Sequence, residues 1–375
     1  MTTYSVDHKQ HDGGMGWKVL AVIAGFLIPF VMVIGLWLAI SAHNASVSAA
    51  KAAAAAPSTP TATPAVGAVA TPSFAGIAPA DAADIAMKHA AFPATLPAAP
   101  VGPVAHVNLS IADRVVSIAP GIHYRAWTFG TTAPGPVIHV RVGQRVDVTL
   151  TNNGSMPHSI DFHAAQIAPN LAFSDIDPGE SKKFSWVASV PGAYMYHCGT
   201  APAFEHIANG MYGAIIVEPK NMPPAQKEYV LVSSEWYLNG PGDSTPATLD
   251  VTKAEQMTPD WVTFNGYATQ YKTHPLRADP GDTVRFWVVD AGPSLNTEFH
   301  VVGTVLQRAW INADMVDAPQ HDIQTAVVPA GGGGVFDVTI RHPGIYPFVS
   351  HSFASVMLGE VGLLNVGNVG GTMSH

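Results

Sequence analysis

The most uniform stretch of the chain is apolar: residues 19–40 carry no charged side chain. A helix needs about 20 such residues to cross a bilayer core, whereas the apolar part of a signal peptide has about 7–15. Pro29 falls inside the run, which membrane helices tolerate. Lys9 and Lys18 precede it and the next cation is Lys51. That asymmetry predicts a cytoplasmic N-terminus (1–18), one transmembrane anchor (19–40) and everything else on the periplasmic, extracytoplasmic side. The small residues of 41–45 suit a cleavable signal as the competing reading. Residues 41–103 read as a linker. Ala, Pro and Thr dominate its first part, and one short helix is expected within 81–91, ended by Pro93.

From residue 104 the period changes to two. Val146, Val148 and Leu150 alternate with Asp147, Thr149 and Thr151, the pattern of a strand with one face buried. Val284, Phe286 and Val288 repeat the phrase after Pro280-Gly281-Asp282. Phe162-His163 is echoed by Phe299-His300, and Pro191-Gly192-Ala193-Tyr194 by Pro343-Gly344-Ile345-Tyr346. Two copies of one β-sandwich account for these echoes, at residues 104–222 and 223–368, with a tail at 369–375.

Composition narrows the class. Of 375 residues only 12% are charged, and 34 Gly and 31 Pro suit an all-β chain with many turns. With 18 basic against 27 acidic residues the net charge is −9, which argues against a nucleic-acid partner. One cysteine excludes an intrachain disulfide, and 17 histidines accompany it. A single thiol in an exported domain directs attention to metal.

Four residues, His158, Cys198, His206 and Met211, have the types that a blue-copper (type 1) site needs: two imidazoles, one thiolate and a weak axial thioether. Each alone would read as core filling; together, with three of them inside fourteen residues, they match the ligand loop of cupredoxin domains. His197 adjoins Cys198, and neighbouring strand residues face opposite ways. Cys198 can therefore face one metal while His197 faces another.

With these motifs in view, residues 157–163, 196–211 and 299–302 together with His351 resemble copper-containing nitrite reductases, and the resemblance covers roughly 104–366. It implies two tandem cupredoxin-like Greek-key sandwiches in a homotrimer. It also implies a second (type 2) copper held by His163 and His197 of one subunit and by His351 of its neighbour. Asp161 matches the family's substrate-binding aspartate, His300 its second proton-relay group, and Val302 a residue shaping the nitrite pocket. The implied activity is one-electron reduction of nitrite to nitric oxide. The electron would come from a separate small cupredoxin or cytochrome c, because no Cys-x-x-Cys-His haem motif occurs.

The match departs at one place. Better-known members carry one more residue between the cysteine and the second histidine, and a tryptophan where this chain has Glu205. That bears on donor docking and on the colour of the first copper. Two other functions fit parts of the pattern. A two-domain multicopper oxidase, laccase-like, shares the fold but needs paired His-x-His motifs; here Gly199 follows Cys198, and Ala164-Ala165 follow His163. A non-catalytic cupredoxin electron carrier would need neither Asp161 nor His300.

Overall fold

Alternating apolar residues in the first half of the folded region pair into two four-stranded sheets. The computed structural model describes residues 79–370. The strands are β1 (Val104–Ala119), β2 (Ile122–Phe129), β3 (Ile138–Arg141), β4 (Arg145–Asn152), β5 (Asp161–Phe162), β6 (Ser181–Val187), β7 (Gly192–His197) and β8 (Tyr212–Glu218). One sheet has the order β2-β1-β4-β6 and the other β3-β8-β7-β5. Between them lie Val107, Leu109, Val146, Val148, Leu150, Phe162, Tyr196, Ile215 and Val217. Burying each large apolar side chain of this kind contributes roughly 1.5–3 kcal/mol.

The second half repeats the plan. Its strands are β9 (Lys227–Trp236), β10 (Leu238–Asn239), β11 (Thr248–Leu249), β12 (Trp261–Phe264), β13 (Leu276–Ala278), β14 (Thr283–Asp290), β15 (Thr297–Val301), β16 (Arg308–Trp310), β17 (Ala326–Val328), β18 (Gly333–Thr339), β19 (Gly344–Ser350) and β20 (Val361–Val366). Sheets of order β12-β9-β14-β18-β16 and β13-β20-β19-β15-β17 face each other across a Phe-rich core, and β10-β11 form a small ribbon. The parallel pair β1–β4 recurs as β9–β14, and the parallel pair β3–β8 recurs as β13–β20. The echoed Phe162 and Phe299 occupy matching places, on short strands paired antiparallel with β7 and β19.

β7 and β8 are buried on both faces. Tyr196 and Cys198 point into their own sandwich, while Ala193, Met195, Tyr212, Ala214 and Ile216 pack on Val230, Val232, Trp287 and Val289 of the other. β14, which reads as a one-faced strand, is therefore buried on both faces, because its second face carries this contact. Arg285 is buried in β14 and makes a two-pronged ion pair with Asp337 across the ladder, at 2.7 and 2.9 Å.

Residues 91–103, read by composition as linker, lie against both sandwiches. Val230 N–H donates to the Ala94 carbonyl at 2.7 Å, and Gln144 Nε2 donates to the Pro100 and Gly102 carbonyls. The backbone of this Pro-rich segment supplies acceptors that the neighbouring strand and side chain satisfy. The short helix within the linker is Ala82–Lys88. Among the described residues no helix is long and apolar enough to cross a membrane. The expected anchor at 19–40 and the tail's last residues, 371–375, lie outside the described residues.

Candidate metal centre

At the end of β7 the chain leaves the sheet with Cys198 and enters a loop containing the short helix Ala203–Ala208. His206 sits on that helix and Met211 follows it. The loop closes on itself: Cys198 N–H donates to the Met211 carbonyl and Met211 N–H to the His206 carbonyl, each at 3.1 Å. Gly210 makes the return possible. Its φ of +104° suits glycine, and a Cβ there would lie 2.9 Å from that of Ala133.

His158 reaches the same point from the segment before β5. Its Nδ1 lies 3.1 Å from His206 Nδ1, and the Cys198 Sγ lies 3.2 Å from His206 Nδ1 and 3.8 Å from His158 Nδ1. All three side chains are buried, and Met211 is buried in the same apolar cluster as Cys198. Burial, with His206 beside it, lowers the His158 pKa to about 4, and burial also lowers that of His206. Both imidazoles are thus neutral at physiological pH and keep the lone pairs that metal ligation requires. Two nitrogen donors and one soft sulfur converging in a buried cluster fit copper.

The sequence did not single out two supports of this group. Trp127 on β2 lays its ring 4.8 Å from that of His206 and 5.5 Å from that of His158. Ser159 N–H points at the Cys198 sulfur at 3.4 Å, and its hydroxyl accepts from Thr200. Ser159 directly follows a ligand candidate, a weak signal. Trp127 lies 31 positions before His158, with no motif around it.

His197 shares the face of Ala193 and Met195, opposite Cys198. Its Nε2 lies 3.0 Å from His163 Nε2. Each ring donates its other nitrogen proton to a carbonyl: His197 Nδ1 to Cys198 O at 2.8 Å, and His163 Nδ1 to Gly331 O at 2.9 Å. Two imidazole lone pairs then face one another, which is repulsive unless a cation lies between them. Burial lowers the His197 pKa, and His163 adds to the effect. Asp161 stands directly opposite His197 across the β5–β7 ladder.

The remaining residues gather on the second sandwich. The His300 and His351 rings lie 5.2 Å apart, and Phe353 packs 4.9 Å from His351. His300 Nδ1 donates to the Gln324 carbonyl. Val302, directly after β15, is 38% exposed. Among the described residues only His158, Cys198 and His206 bring three metal-capable side chains within 4.8 Å of one another. Among the described residues no third imidazole or carboxylate therefore completes the His163–His197 pair at that spacing.

Two sandwiches of this topology, with a His–Cys–His cluster where the closing loop of the first meets the segment before β5, define a cupredoxin-type copper protein. The family model described as multicopper oxidase matches residues 110–222. The copper-containing nitrite reductase of Neisseria meningitidis serogroup B is 37% identical over 267 residues, covering 69% of this chain and 68% of that protein. The solved copper nitrite reductase of Nitrosomonas europaea superposes with a TM-score of 0.65 at 35% identity, covering 71% of this chain and 94% of that one. A solved multicopper oxidase superposes with a TM-score of 0.62 at 26% identity, covering 70% and 89%. The chain belongs to the copper-containing nitrite reductase family.

Proposed function

We propose that this protein reduces nitrite to nitric oxide and water, consuming one electron and two protons. The observation that carries the reading is the meeting of His163 and His197 at 3.0 Å, on the strand face opposite the thiol of Cys198. When bound, copper supplies one-electron storage at His158, Cys198, His206 and Met211, and an open position for nitrite at His163 and His197 with a neighbouring subunit's His351. Cys198 and His197 are adjacent in sequence, so a single peptide joins the two donor sets and serves as the electron path. Asp161, facing His197, binds substrate through its carboxyl and moves one proton. His300 holds the second proton at its free ring nitrogen, its Nδ1 being engaged by Gln324. Val302 narrows the approach.

A shared second site needs a neighbouring subunit, and the resemblance to copper-containing nitrite reductases makes that assembly a homotrimer. Phe353 and Met357, 57% and 58% exposed on the short helix after His351, offer apolar side chains for a neighbour to cover. Residues 19–40 would tether the enzyme to the membrane with its catalytic domains in the periplasm, where an external cupredoxin or cytochrome c donates the electron. An oxidase would need further histidine clusters. Among the described residues none of three metal-capable groups exists beyond His158, Cys198 and His206.

The test is copper content and electron paramagnetic resonance on copper-loaded protein, with and without nitrite. Two coppers per chain, one signal shifting with nitrite, and nitric oxide released with a reduced donor are expected. A single signal indifferent to nitrite would leave an electron carrier.

A further inference from the structure

His197 and His163 present the same nitrogen but reach that state differently. His197 donates Nδ1–H to the carbonyl of its own neighbour, Cys198. His163 donates to Gly331, 168 positions away in the second sandwich. A carbonyl oxygen can only accept, so the contact fixes the proton on Nδ1 and leaves Nε2 as the lone pair.

The turn carrying Gly331 is built for close approach. Gly331, Gly332, Gly333 and Gly334 are consecutive, and Gly331 has φ of +76°. A Cβ on Gly333 would lie 2.1 Å from the Ala193 carbonyl, so the backbone where the turn enters β18 lies directly on β7, the strand that carries His197. Gly331 N–H donates to the Asp290 carbonyl at 2.8 Å, and Asp290 N–H donates to the Gly332 carbonyl at 3.0 Å. Asp290 is itself buried at the end of β14. The turn is thus pinned on one side by β14 and on the other by β7.

We infer that the backbone carbonyl of Gly331 is a positioning group for the second copper site, holding His163 in the tautomer and orientation that ligation needs. The inference rests on the proposed role of His163 and His197. It makes the first sandwich's half of that site dependent on the docking of the second sandwich of the same chain, besides any neighbour's His351. Loss of such an outer partner typically costs 10–100-fold in metal affinity.

The test compares Gly331→Ala, Gly331→Asn and Gly281→Ala in the full chain. Gly281 has φ of +94° with nothing within 4 Å of a Cβ, so its variant carries the same backbone strain far from the site. Competition titration with Cu(II) and a chelator reads the affinity of each copper. Gly331→Ala should weaken the second copper by roughly tenfold or more, with the first copper's visible absorption unchanged. Gly331→Asn, which tolerates positive φ, should recover most of that loss. Gly281→Ala should bind both coppers as the parent does. Equal second-site affinity in Gly331→Ala and Gly281→Ala overturns the inference alone. A parent protein that takes up one copper per chain overturns the underlying reading as well. Should Gly331→Ala fail to fold, nitrogen NMR on the metal-free parent decides: a His163 protonated at Nε2 instead of Nδ1 refutes the assignment.

Discussion

Asp161 and His197 are direct partners across the β5–β7 ladder, so the carboxyl and the imidazole rise from the same face of the sheet. Asp161→Asn keeps shape and neutral hydrogen bonding but removes the titrating group. Both coppers should remain, while turnover falls by about 100-fold or more. Full activity in a two-copper Asp161→Asn protein would remove the proton-relay role.

Met211 is fully buried, and its backbone closes the loop that carries Cys198 and His206. Met211→Leu is close to isosteric and should cost less than about 1.5 kcal/mol in stability. Because a weak axial ligand tunes a blue-copper potential, the first copper's absorption and reduction potential should shift. The second copper's resonance should be unaltered; changes confined to stability would show that Met211 only packs.

His351 is exposed and pairs with His300, apart from His163. His163→Ala and His351→Ala should each lose the second copper and keep the first. Co-expressed, the two variants should regain second-site copper at those interfaces that combine an intact His163 with an intact His351. No recovery in verified mixed oligomers would place the three histidines within one chain.

Glu360 is buried just before β20, accepting hydrogen bonds from Ser233 at 2.6 Å and Thr297 at 2.8 Å, with Glu298 and Glu235 also near it. Burial pushes its carboxyl up to about 7, and burial likewise raises Asp290 and Glu235. A raised carboxyl means that the folded chain binds more protons than the unfolded one between about pH 4.5 and 7. Stability contributed here is present below that window and declines as pH rises through it, then levels off. For a shift of this size the decline is on the order of 3 kcal/mol. Glu360→Gln keeps an acceptor for Ser233 and Thr297 and should flatten that part of the profile. Denaturant midpoints at pH 5 to 8 for parent and variant give the comparison, and identical slopes would exclude Glu360 as the source.

Much of the site was legible because its chemistry is local. Cys198, His206 and Met211 share one loop, and that Cys198 and His197 face apart follows from strand geometry alone. The repeat could be read for the same reason: turn residues and alternating apolar positions recur wherever a strand is half buried. β14 shows where this reasoning stops. Arg285 and Trp287 look like an outer face, yet both are buried, Arg285 against Asp337 and Trp287 in the seam between the sandwiches. Alternation marks that a strand has two faces, but not what is docked on the second.

The sequence by itself picked out the candidate metal donors, the sandwich pattern and the adjacency of Cys198 and His197, since each depends on residue type and on spacing of a few positions. Only the tertiary structure decided that Trp127 lies over both imidazoles, that Gly331 engages His163, and that Glu235, Asp290 and Glu360 share one buried region. These contacts join residues far apart in the chain. They are fixed by how finished sheets pack on each other, and no local pattern of residues records that packing.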